Sequence, residues 1–274
     1  MGEPPLEDLE IDLLLEAVFQ RLGFDFRDYD RGTLKHKILA LMQSESVATV
    51  SALQDRVLHD PRTSLALLQT IAHPAAALFA DPLHLRLLRE RVVGHLRSYP
   101  EPSIWIAECS SAQTAWTMAI LLEEEQLYHK TLIYATGASA DVPRMGWQTT
   151  VSAAYVGKCE ANYRDSGGKA RLADYFDAQA DQMVLRPRLQ RNIVWAQHSL
   201  VTDASFNEFQ LILCRGARLD FGPLLRSRAL HLFHDSLSRF GMLSIDVCPA
   251  AEVLRLPTAY QPVCVEQGLF KRID

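Results

Sequence analysis

The densest run of residue types able to do chemistry lies between Ala107 and Met118, directly after the short apolar run 103–107, where Glu108, Cys109, Ser110, Ser111, Ala112, Gln113 and Thr114 follow one another. A small, polar loop that leaves a buried strand and opens a helix is where open α/β sheets hold ligands. A second candidate is Arg27 with Arg31, four residues apart, because two guanidiniums one helical turn from each other can bracket a phosphate. Lys35 and Lys37 extend that basic segment. The five cysteines, Cys109, Cys159, Cys214, Cys248 and Cys264, are scattered and contain no C-x-x-C pair. Such a set reads as buried, reduced and structural rather than as a disulfide framework or zinc site. His231 and His234 share a helix face at i, i+3, but no carboxylate follows at ligand spacing, so no metal is expected.

Two kinds of element position these residues. The first hundred residues carry helical periodicity, with apolar helices expected near 9–22, 33–42, 50–58, 64–71 and 84–96. The prolines Pro100 and Pro102 then break the pattern, which sets the expected domain boundary between residues 98 and 99. Beyond it, buried-strand runs at 103–107, 131–135, 192–196, 209–214 and 242–246 alternate with helices at 112–126 and 224–240. Near-continuous apolar strands separated by helices imply a parallel sheet covered on both faces. The runs 263–266 and 269–273 flank a tight turn at Gly268 and read as an antiparallel edge, and the polar segment at about 155–185 reads as a small inserted lobe. The chain is 48% apolar and 22% charged, with a formal charge of −5, so it is expected to be globular and to avoid nucleic acid and anionic membrane. No apolar stretch reaches the roughly 18 residues of a bilayer crossing, and the acidic start is unlike a signal peptide, so a cytoplasmic protein is expected.

Several segments, in order, resemble the chemoreceptor (CheR-type) glutamate O-methyltransferases, and the resemblance spans nearly the whole chain. Residues 23–34 (G-F-D-F-R-D-Y-D-R-G-T-L) are similar to the family's helical-domain pattern G-x-D-F-S-x-Y-K-x-x-T-L. Residues 161–168 and 174–176 are similar to the inserted lobe of one subgroup, and 198–203, 205–209 and 214–215 match later strands and loops. The resemblance implies a helical domain, residues 1–98, followed by a Rossmann-like class I methyltransferase domain, residues 99–274, with a mostly parallel seven-stranded sheet. It further implies an S-adenosylmethionine site, and methyl transfer to receptor glutamates in bacterial chemosensory adaptation. Direct displacement at a sulfonium carbon needs chiefly positioning, so the donor site is what must be intact.

That site departs from the family pattern. Where the family's first-strand loop is A-G-C-S-T-G-E-E-x-Y, this chain places Glu108, Ala112, Gln113, Thr114 and Trp116 at the two glycines, the acidic pair and the aromatic. The aspartate that would hold the ribose is Gly137, and H-N-L becomes His198, Ser199, Leu200. C-R-N-V-x-I-Y-F becomes Cys214, Arg215, Gly216 and onward to Asp220 in the tyrosine's place. The arginine of F-F-R-D becomes Ala80, so both positions that the family assigns to the substrate and methyl-transfer site, Ala80 and Asp220, are emptied. A hydrogen bond to a charged group contributes roughly 1.5–3 kcal/mol and a neutral one about 1. Losing the ribose carboxylate and two loop contacts therefore removes on the order of 4–7 kcal/mol, or about 10³- to 10⁵-fold in affinity. The expectation is a vestigial cleft formed by Glu108, Cys109, Ser110, Ser111, Ala112, Gly137, Ser199, Leu200, Cys214, Arg215 and Gly216, with no catalytic residue and no high-affinity cofactor. S-adenosylmethionine or S-adenosylhomocysteine would bind only if the site were retained. The expected function is a non-catalytic regulatory or binding protein of a chemosensory pathway, whose partner is a receptor or regulator met through Arg27, Arg31, Lys35 and Lys37. Two alternatives stand beside it: an active glutamate O-methyltransferase with a rebuilt site, and a receptor for another nucleotide-like ligand.

Overall fold

A computed structural model describes the chain apart from residues 1–5, 23–25, 28, 30, 72–76, 110, 139–141, 145–148, 180–181, 216–222 and 247–258, and apart from the side chains at 33, 65, 69 and 223–225. The chain forms two compact units, one of Met1–Pro74 with Leu219–Ser227, the other of Ala75–Arg218 with Arg228–Asp274.

The first unit is helical. Its helices are α1 (Leu6–Leu22), α2 (Arg31–Ser44), α3 (Val50–His59) and α4 (Pro61–Ile71). Apolar residues at helical spacing turn inward: Ile11, Leu14, Leu15 and Val18 of α1 meet Leu34 and Ile38 of α2, Leu53 and Val57 of α3, and Leu67 of α4. Thr49 caps α3 by accepting from the Ala52 N–H at 3.1 Å. The expected apolar positions Leu9 and Leu13 lie on the outer face of α1 instead.

The second unit begins with a helical segment, α5 (Pro82–Leu87), a π-turn (Leu88–Val92) and α6 (Val93–Arg97). Asp81 caps α5 through the His84 N–H at 3.1 Å, and Pro82 sits in its first turn. Sequence placed this segment with the N-terminal helices, but the units divide near Pro74 rather than at residue 98. The reason is packing: Leu85, Leu88, Val92, Val93 and Leu96 share one core with Ile104 and Ile106 of the first strand. The prolines end the helix without ending the domain.

The strands are β1 (Ser103–Ile106), β2 (Leu132–Gly137), β3 (Val151–Ser152), β4 (Phe176–Gln179), β5 (Gln182–Leu185), β6 (Ile193–Gln197), β7 (Phe209–Cys214), β8 (Leu237–Ile245), β9 (Tyr260–Cys264) and β10 (Leu269–Arg272). Between them run α7 (Ala112–Glu124), α8 (Ala153–Asp165), α9 (Pro187–Gln190) and α10 (Pro223–Ser236). The main sheet has seven strands in the order β6-β2-β1-β7-β8-β10-β9. Pairing is parallel from β6 through β8 and antiparallel for β10 with both β8 and β9. The switch in strand order falls between β1 and β7, where such sheets open a crevice. The helix expected over 224–240 stops at Ser236, and residues 237–240 begin β8, where Gly241 brings the strand against Leu237.

The inserted lobe carries more regular structure than its polar sequence signals. The strands β3, β5 and β4 form a three-stranded antiparallel sheet, followed in space by α8 and a 3₁₀ turn at Leu172–Tyr175. The hairpin expected at the carboxyl end is present, and its turn requires glycine. Gly268 has φ +60, and a Cβ there would lie 1.9 Å from the Ile245 carbonyl oxygen. Gly268→Ala is therefore expected to lower stability by about 2–4 kcal/mol, read as a fall in the urea midpoint at unchanged slope.

Among the described residues no helix is long and apolar enough to cross a membrane, and no cluster of His, Cys, Asp and Glu could hold a metal ion. Cys109, Cys159 and Cys214 are buried free thiols and Cys264 is part-exposed; Cys248 lies outside the described residues.

Candidate functional site: a cleft at the switch point

The register of β1, β2 and β6 brings their carboxyl ends level. The Cys109 N–H donates to the Thr136 carbonyl at 2.7 Å, and the His198 N–H to the Gly137 carbonyl at 2.9 Å. Glu108 follows β1 and has φ +52, a left-handed conformation that favours glycine. Its carboxyl turns into the protein and accepts a hydrogen bond from the Leu200 N–H. Burial pushes that carboxyl up to about 7, the Leu200 bond offsetting only part of the cost. Two buried thiols are its neighbours. Cys109, whose Sγ donates to the Ser111 carbonyl at 3.2 Å, is pushed up to about 12, and Cys214 is raised as well, both chiefly by burial and further by Glu108. Neither thiol is a nucleophile at neutral pH.

At the end of β2, Gly137 offers no side chain, and the space beside it is taken. A Cβ there would come within 3.2 Å of the Val142 side chain, which is itself buried. Asp141 lies outside the described residues, as do Ser110, Gly216 and Asp220. Ser199 turns to its own loop: its N–H donates to Asp203 at 3.0 Å, and its Oγ accepts from the Val201 N–H at 3.2 Å. That backbone bond from Ser199 lowers the Asp203 carboxyl. Ala112 is buried in the first turn of α7.

Arg215 is committed to the fold. Its guanidinium donates to Asp81 at 2.7 Å, to the Gln267 carbonyl at 2.7 Å and to the Ile245 carbonyl at 3.2 Å. It therefore ties the segment before α5 to β8 and to the terminal hairpin. Beside it opens a cavity of about 280 Å³, reached by Ala80 and Thr114, two of the altered family positions. His84 also borders the cavity and was not singled out from sequence; it sits in a Leu-rich helix with only the Asp81-Pro82 cap to mark its start. Its Nε2 lies 3.1 Å from the Ser244 hydroxyl, and burial, helped by Arg215, drives it down to about 3, so the ring is neutral.

The structure thus brings Glu108, Cys109, Leu200 and Cys214 together, with Gly137 beside Cys109, and places Ala80, Thr114 and Arg215 along a cavity that Ile106 and Leu213, at the ends of β1 and β7, also line. The basic residues expected to meet a partner are in the first unit, and three of the four answer acidic groups of α1. Arg27 pairs with Glu16 at 2.8 Å, Arg31 with Asp12 at 2.5 Å, and Lys35 with Glu7 and Asp8 at 3.0 Å each. The Lys37 ammonium donates to the Ile71 carbonyl at 2.8 Å. A bare cationic face is not presented by these four side chains.

Known proteins match this arrangement over nearly its full length. The family model for the CheR methyltransferase SAM-binding domain matches residues 75–258, and the model for the CheR methyltransferase all-alpha domain matches residues 9–72. A protein of Pseudomonas putida named putative methyltransferase Cher3 is 37% identical over 265 residues, which is 97% of each chain. A chemotaxis protein methyltransferase of Listeria innocua is 24% identical over 244 residues, 88% of this chain and 90% of its own. Among solved structures, the plantazolicin methyltransferase BpumL in complex with SAH is 11% identical, covering 86% of this chain and 70% of that one with a TM-score of 0.36. The chain belongs to the CheR methyltransferase family.

Proposed function

We infer that this CheR-family protein acts in a bacterial chemosensory pathway without transferring methyl groups, by binding a receptor or regulator in the cytoplasm. One observation carries the reading. Where the family loop has a glycine that lets the backbone approach the methyl donor, Glu108 turns its carboxyl inward and takes up the Leu200 N–H for itself. A ligand entering the cleft would have to displace that hydrogen bond and share the space with a carboxyl whose ionisation burial opposes. Val142 against Gly137 acts in the same direction, because the ribose would meet a methyl group where a carboxylate belongs.

The rival reading, an active glutamate O-methyltransferase with a rebuilt site, draws on the names of the relatives at 37% and 24% identity. Labelled S-adenosylmethionine with cytoplasmic receptor fragments separates the two. The inference expects no label on the fragments above the protein-free control, under conditions where an active family member labels them. Label recovered on receptor glutamates would overturn it.

A further inference from the structure

At its amino end β8 leaves its register with β7. It runs from Leu237 to Met242 while β7 advances only from Phe209 to Leu211, and the extra residues form a bulge. Within the bulge Phe240 has φ +65, a left-handed conformation that strains a bulky residue. Core packing does not account for it, because the side chain is 42% exposed. The bulge turns the ring outward beside β10, where Lys271 pairs with Met242. Ile273 follows Lys271 by two residues and shares its face, since the Ile273 N–H still donates across the hairpin to the Ala259 carbonyl at 2.9 Å. Its side chain is 40% exposed, so an aromatic and an aliphatic group both reach solvent beside Lys271.

Two cations meet at the Phe240 ring. The Arg239 guanidinium lies 4.9 Å from its centroid and the Lys271 ammonium 5.4 Å, both within cation–π reach. Among the described residues neither has a carboxylate within ion-pair distance, unlike Arg27, Arg31 and Lys35, which α1 answers. His95 is lowered chiefly by burial and further by Lys271, so it brings no charge of its own. Like charges gathered at one ring repel, and an arriving carboxylate would satisfy both. The patch is positive on a chain whose formal charge is −5, so it selects for acid. A second copy cannot meet it with the same patch, because the charges are alike. We propose that Arg239, Phe240, Lys271 and Ile273 form a docking surface for an acidic protein segment that sets an apolar side chain between carboxylates. The proposal rests on the reading that this protein works by binding a partner, whose chemistry it names, and is independent of whether the donor cleft transfers methyl groups.

Fluorescence anisotropy of the full-length protein with a labelled peptide of sequence E-D-E-F-E-D-E tests it, beside a copy with lysine at every acidic position and vesicles of phosphatidylglycerol. Saturable binding of the acidic peptide is expected, weakening about 10-fold or more as salt rises from about 0.05 M to about 0.5 M. Arg239→Glu and, separately, Phe240→Gly are each expected to weaken it about 10-fold or more. Phe240→Gly is expected to keep or raise the urea midpoint, because glycine accepts the positive φ, so its loss of binding is not unfolding. Methyl transfer is not read in this titration, so its outcome and that of the labelling experiment stand apart. No saturable binding up to about 1 mM, equal affinity for the lysine peptide, preference for the vesicles, indifference to either variant, or a lower urea midpoint for Phe240→Gly would each overturn the proposal.

Discussion

Glu108→Gln is expected to raise the melting temperature of the second unit at pH 8 and to leave it unchanged at pH 4. The folded-state value of about 7 lies above the ordinary 4.5. The stability tied to this group is therefore fully present below pH 4.5, is lost progressively as pH rises toward 7, and is absent above. An amide keeps the acceptor for the Leu200 N–H and cannot ionise, so it recovers that loss. The recovery is about 3 kcal/mol, or roughly 6–12 °C at the 2–4 °C per kcal/mol usual for 150–250 residues. A gain of equal size at both pH values would mean that ionisation in the cleft is not what costs stability. No gain at either would mean that the carboxyl is not enclosed.

Glu124→Ala is expected to produce the largest loss of stability in the second unit. The Glu124 carboxylate is buried and does four things: it pairs with Arg89, accepts the Tyr163 hydroxyl at 2.6 Å and the Tyr175 hydroxyl at 3.0 Å, and accepts the Lys169 N–H at 2.7 Å. Arg89, buried on the π-turn, also holds Glu125 at 2.8 Å and the Ser166 carbonyl at 3.0 Å. Through these bonds the inserted lobe is fastened to α7 and to the π-turn. Both tyrosines are raised, chiefly by burial and further by this hydrogen-bonded cluster, and stay protonated as donors. Removing one partner of a buried pair costs about 3–5 kcal/mol, because the charge left behind is not rehydrated. Chemical denaturation should show that fall together with earlier proteolysis within residues 153–185. Glu124→Gln, which keeps an acceptor, is expected to lose less. A loss below about 1 kcal/mol for the alanine variant would show that the lobe is held by its apolar contacts instead.

Much of the fold was legible because its determinants are local. The runs at 103–107, 131–135 and 209–214 are apolar enough to be fully buried strands, and their separation by a helix forces parallel pairing. The segment 82–97 shows what local pattern leaves out. Its periodicity identifies a helix, but which core it joins depends on Leu85, Leu88 and Leu96 finding Ile104 and Ile106, and that is a tertiary choice. The lobe was harder for a different reason. Its short strands alternate weakly, and a single buried carboxylate on α7 organises it from outside the segment. In the site, positions defined by an altered motif, Glu108 and Gly137, could be read directly. Their consequences could not: no spacing rule shows that Glu108 reaches the Leu200 N–H, or that Val142 packs over Gly137. His84 carried no sequence signal, since a lone histidine among leucines is ordinarily a core residue, although Ala80, Thr114 and Arg215 on the same cavity were altered or retained motif positions.

The central claim is that Glu108 and the filled space at Gly137 exclude the methyl donor. Isothermal titration of the unmodified protein with S-adenosylmethionine and with S-adenosylhomocysteine, at pH 7.5 or thereabouts, addresses it most directly. The account predicts no saturable heat at concentrations up to about 100 µM, the consequence of losing on the order of 10³-fold or more in affinity. Binding of either compound tighter than about 10 µM would contradict it.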